Sequence, residues 1–116
     1  MAGSPFRFAG LGLGLDEPPV PIAATFEILS GIWTCTFDKP LQPGVLDAGN
    51  WSLRESNQAR SANAATAAGN VVSGTVAFPS ADPGPPVINF APPPADVLSL
   101  TGLAAVAFAA FPLVVT

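Results

Sequence analysis

Ile32 to Leu53 reads IWTCTFDKPLQPGVLDAGNWSL, and the fold is decided there. In its first third, Trp33, Cys35 and Phe37 fall on one face while Thr34 and Thr36 fall on the other. That is the period of a half-buried strand made from β-branched and aromatic residues. Asp38 to Gly44 then interrupts the run with two prolines and a glycine. From Asn50 alternation resumes, so that a second strand can set Trp51 and Leu53 beside the apolar face of the first.

Working outward, Ile22 to Leu29 reads as the preceding core strand, with Thr25 and Glu27 opposite Phe26 and Ile28. Ser30-Gly31 is the two-residue turn that joins it to Ile32. After Leu53 the pattern fades. Arg54 to Ala68 carries charges, amides and alanines with no apolar stripe at helical spacing, which predicts an exposed loop with a short strand near Ala64 to Ala67. Gly69-Asn70 turns into a strand from Val71 to Phe78, where Gly74 marks a bulge or a point of close backbone approach. Pro79 to Pro86 is a turn cluster. Val87 to Phe90 is a short strand, ended by Pro92-Pro93-Pro94.

Val97 to Thr116 holds twenty consecutive uncharged residues, VLSLTGLAAVAFAAFPLVVT. The run is long enough to span a bilayer as a helix. Ser99, Thr101, Gly102, Pro112 and the absence of basic flanks favour two buried strands instead, Val97 to Leu100 and Val106 to Val115. Pro112 then requires a sheet edge or a bulge.

The N-terminal side is of another kind. Residues 1–21 read as an extended arm and proline linker, and residues 22–116 as the folded domain. Gly10 to Leu15 alternates strictly, so in an extended chain Leu11, Leu13 and Leu15 point one way and glycines the other. Phe6 and Phe8 are further anchors. Such a segment orders on docking to a neighbour, for instance by strand addition. A phosphate loop is excluded by the missing lysine-serine or lysine-threonine ending. Asp16 to Pro21 reads as a stiff spacer of polyproline character.

Composition narrows the function. The 116 residues are 49% hydrophobic and only 10% charged, with a net charge of −4. Mean hydropathy is +0.47. A chain this poor in charge exposes more apolar surface than a freely soluble monomer tolerates, which implies cover from another subunit or from lipid. The four cations, Arg7, Lys39, Arg54 and Arg60, are dispersed, so no nucleic-acid surface is expected. There is no histidine and no tyrosine, which removes histidine triads, histidine metal sites and the commonest general base. Asp38, Asp47, Glu55, Asp82 and Asp96 fall in or beside turns, where solvated carboxylates are the rule. A calcium site from Asp38, Asp47 and Asn50 matches no known loop spacing. Cys35 reads as a small buried hydrophobe. No enzyme activity, cofactor or metal is expected. Trp33 reads as core, whereas Trp51, beside polar neighbours, is also a candidate ligand contact. The N-terminus lacks the pattern of a signal peptide, which predicts synthesis in the cytoplasm.

Thr36 to Leu41, TFDKPL, followed by Asn50-Trp51-Ser52-Leu53, resembles the repeat cores of bacterial Ig-like domains. These have a strand ending in a phenylalanine, polar, proline, hydrophobic corner and then an asparagine-aromatic strand start. The resemblance implies an all-β fold, a small Ig-like β-sandwich of about seven antiparallel strands. It also implies a binding, spacing or cementing role at bacterial surfaces or in phage virions. Departures from the surface type, no signal peptide and no second-half tyrosine strand, favour the virion. The expectation is a capsid cement or decoration protein, with the major capsid protein and copies of itself as partners. Its interfaces would be the arm (Phe6, Phe8, Leu11, Leu13, Leu15) and the C-terminal strand (Phe108, Phe111). The alternatives are a surface carbohydrate- or host-binding module using Trp51, and a small membrane-associated protein anchored by residues 97–116.

Overall fold

Alternation in the central stretch produces the strand it demands. The computed structural model describes residues 17–55, 58–76, 87–92 and 95–116. Strand β2, Ile32–Phe37, buries Trp33, Cys35 and Phe37 completely and leaves Thr34 and Thr36 half-buried on its other face. Strand β1, Pro21–Glu27, pairs antiparallel with it, matching Ala24 to Cys35 and Phe26 to Trp33. The register slips between Pro21 and Ala23. Ile22 sits at that slip and is 58% exposed, although it shares the parity of buried Ala24 and Phe26. The strand is also shorter at its far end than the expected Ile22 to Leu29. Gly31, at φ +72°, donates its N–H to the Glu27 carbonyl and closes a loop over residues 28–31 that leaves Leu29 97% exposed.

After Phe37 the chain crosses to another layer. On the way it runs through β3, Gly44–Val45, at the edge of the same sheet as β2, and one 3-10 turn, Ala48–Asn50, in which the Gly49 N–H donates to Asp47 Oδ1. Strand β4, Trp51–Glu55, therefore faces β2 across the core instead of pairing with it. Strand β5, Gln58–Ser61, pairs with β4 where a loop was expected. Its sequence carries no β-branched or aromatic residue, so the pairing is dictated by its neighbour. The alanines that follow are core: Ala62, Ala65 and Ala67 are buried. Strands β6, Thr66–Ala68, and β7, Val71–Thr75, form a hairpin through Gly69-Asn70. Strand β8 is Val87–Phe90, as expected.

The charge-free C-terminal run becomes strands, but not the two long ones expected. Leu98 and Ser99 make only isolated bridges, to Ala104 and Leu41. Strand β9, Phe108–Pro112, pairs antiparallel with β8, and β10, Val114–Val115, pairs parallel with β1 in the other layer. Buried Leu113 is the step between the two. Pro112 has both features that a proline in a strand needs: β9 is an edge strand, and its register shifts between Phe108 and Phe111.

The chain is thus mostly β, in two sheets. One has the order β9-β8-β4-β5, the other β10-β1-β2-β7-β6-β3. These are ten strands among the described residues, with one parallel pairing, against about seven antiparallel ones expected. Between the sheets lies an aromatic core. The rings of Trp33 and Trp51 are 5.0 Å apart, and those of Trp51 and Phe90 4.7 Å apart. On the outer face of the six-stranded sheet, Val114, Thr25, Thr34, Ser73, Thr66 and Val45 form one continuous cross-strand rung.

Candidate docking groove

The corner after β2 positions the feature of interest. Asp38 follows Phe37, whose side chain is locked in the core, so the Asp38 carboxylate and backbone are presented at the sheet's end. Val20 N–H donates to Asp38 Oδ1 at 2.9 Å, and Asp38 N–H donates to the Val20 carbonyl at 2.9 Å. Lys39 Nζ donates to the Glu17 carbonyl. These three bonds dock residues 17–20 against the body, with Pro19 buried. The described part of the segment expected to be a stiff spacer is thus hydrogen-bonded to the corner after β2.

Opposite this segment runs the start of β9. Between them lies a groove of about 490 Å³, one wall formed by Glu17 to Pro21 and the other by Val106, Ala107, Phe108 and Phe111. A shallower depression of about 320 Å³, bounded by β8 and β9, shares Ala107 and Phe108 with it. Glu17 is the one charged residue among the described residues that line the groove. The volume lies in the range of clefts that take small ligands or side chains.

The two C-terminal phenylalanines divide their roles. Phe108 is half-buried and packs on the chain's own core, 6.1 Å from Trp51 and 5.7 Å from Phe90 between ring centroids. Phe111 packs edge-on to Phe108 at 6.0 Å and stays partly exposed along the groove. Phe6, Phe8, Leu11, Leu13 and Leu15 lie outside the described residues.

Trp51 is at the centre of the core with no exposed surface. A sugar or receptor cannot stack on it without opening the two sheets, so the structure gives this candidate contact a packing role. Its polar neighbours in sequence misled because Asn50 is itself buried and Ser52 faces the other way along the strand. The Trp51 indole N–H finds no acceptor among the described residues.

Three of the described carboxylates serve the backbone, while Asp82 lies outside the described residues. Asp38 holds Val20, Asp47 caps Gly49, and Asp96 Oδ2 accepts the Asp47 N–H at 2.6 Å. Among the described residues no three metal-ligating side chains converge. Cys35 is fully buried, and burial pushes its thiol from 9.0 up to about 12, which is the behaviour of a packing residue. No helix among the described residues is long and apolar enough to cross a membrane.

Sequence reasoning located one wall's aromatics and missed the other wall. Pro18 to Pro21 gave no docking signal because its anchors, Asp38 and Lys39, lie about twenty residues away along the chain. Val106 and Ala107 were visible only as part of a charge-free run. No family model, characterised protein or solved structure matches this chain.

Proposed function

We propose that this chain is a non-enzymatic structural component of a large assembly, an Ig-like β-sandwich acting as a phage capsid cement or decoration protein. The observation that carries the reading is one groove lined almost wholly by apolar residues. Val20 and Val106, at 49% and 69% exposed, both border the groove beside Phe111. A lone exposed valine needs no explanation, but a lined apolar groove in a chain with so few charges implies a partner. The major capsid protein and further copies of this chain are the partners proposed, and the virion is its place.

Support for the Ig-like assignment comes from strand order. The arrangement β1-β2-β7-β6 in one sheet and β9-β8-β4-β5 in the other follows the A-B-E-D and G-F-C order of Ig domains, with β5 as an added C′ strand. Trp51 on β4 then occupies the place of the buried strand-C tryptophan of Ig domains, packed between Trp33 and Phe90 instead of a disulfide.

Sedimentation of source material tests the reading. The chain should run with particles far larger than its own 11.7 kDa, and a form lacking residues 1–16 should fold yet fail to join them. Recovery of the full chain only as a free small protein would overturn the assignment.

A further inference from the structure

We propose that the groove between Glu17–Pro21 and Val106–Phe111 receives the Leu11–Leu15 segment of a second copy of this chain. This rests on the assembly reading above and names one partner for its exposed apolar surface.

Sixteen residues precede the described structure and join it at Glu17, which itself forms one end of the groove wall. Their sequence is apolar and alternating, with leucines at 11, 13 and 15. In an extended chain those three side chains form a row about 13 Å long on one side, and the intervening glycines let the backbone lie close to a wall. An apolar groove bordered by prolines, valine, alanine and phenylalanine matches such a row in chemistry.

Geometry disfavours the chain's own arm as occupant. Glu17 and Pro18 each precede a proline, which holds both in extended backbone. A reversal into the same groove would therefore have to be made by Leu13 to Asp16, because a tight turn takes about four residues. That span holds two of the three leucines. An arm arriving from a second copy needs no reversal, and a two-fold exchange fills both grooves with one set of contacts.

The mode is side chains in a groove, not strand addition. The edge beside the groove is blunted, since β9 carries a bulge and ends at Pro112, and the four-residue edge strand β5 lies at the opposite side of that sheet.

The full-length chain supplies the test. Analytical ultracentrifugation should show concentration-dependent self-association, weakened at least about tenfold by Val106→Glu, which puts a charge at an exposed groove position and should leave the circular dichroism spectrum of the folded chain unchanged. Copies carrying Leu13→Cys and copies of different mass carrying Val106→Cys, mixed and oxidised, should yield the mixed disulfide dimer. A chain that stays monomeric with no cross-link overturns the inference, as does a double variant that cross-links only within itself. Particle incorporation of the wild-type chain, measured beside its self-association, separates the two readings. If wild-type chain enters particles but never self-associates, the groove assignment fails and the assembly reading stands. If it self-associates through the groove and never enters particles, the reverse holds.

Discussion

The Asn89 side-chain carbonyl accepts a 2.8 Å hydrogen bond from the backbone N–H of Ala110, reaching from β8 across to the bulge in edge strand β9. Ala110 is the one non-glycine among the described residues with positive φ, at 58°. The left-handed backbone there costs a Cβ-bearing residue about 1–2 kcal/mol. Asn89 offsets part of that by satisfying the N–H that the shifted register leaves without a ladder partner. Ala110→Gly should be neutral to stabilising, by up to about 1 kcal/mol, since glycine's own entropic cost opposes the relief. Asn89→Ala should cost about 1 kcal/mol. Urea midpoints of the two variants and their combination measure both.

Gly74 is a different kind of glycine. A Cβ there would lie 1.8 Å from the Ala64 carbonyl oxygen and 2.9 Å from Trp33 Cζ2, so the obstruction is backbone and core. Gly74→Ala should cost about 3 kcal/mol or prevent folding. Gly69→Ala, at φ +61° with open space around it, should cost only about 1 kcal/mol. Comparing their denaturation curves separates steric obstruction from backbone conformation.

Cys35 ties stability to alkaline pH. Its thiol titrates near 9.0 when unfolded and about 12 when folded, because burial disfavours the thiolate. A folded value raised above the unfolded one leaves stability complete below about pH 9. Above that, the unfolded state sheds the proton first, and stability falls by about 1.4 kcal/mol per pH unit up to pH 12. Cys35→Ala should lose that slope. The difference between the two pH profiles isolates the thiol from lysine and arginine effects. In the native state at pH 8 a thiol reagent should label Cys35 only as fast as the core opens.

Asp38 fastens the groove wall to the body. Asp38→Ala removes the acceptor for Val20 N–H and should cost about 1 kcal/mol. Its sharper consequence is local: hydrogen exchange at Val20 should accelerate while exchange at β2 changes little, because β2 is held by neighbours on both sides.

Much of the fold was legible because period-two alternation and turn residues are local signals. Trp33, Cys35 and Phe37 declared a buried face, Val87 to Phe90 a strand, Gly69-Asn70 a turn and Gly74 a bulge or a close approach, of which the structure shows the close approach. Strand β5 was not legible, since its residues carry no strand preference and are recruited by β4. Neither was the burial of Ala62, Ala65 and Ala67, because alanine fits core and surface alike.

By itself, the sequence determined that this is a β protein with too few charges for its apolar content, organised around Ile32 to Leu53. Only the tertiary structure decided that Trp51 belongs to the core and that Glu17 to Pro21 forms a groove wall with Val106 and Phe111. The physical reason is range. Alternation and turn chemistry act over a few residues, whereas a groove is made when hydrogen bonds such as Val20 to Asp38 and sheet pairings such as β9 to β8 bring distant segments side by side.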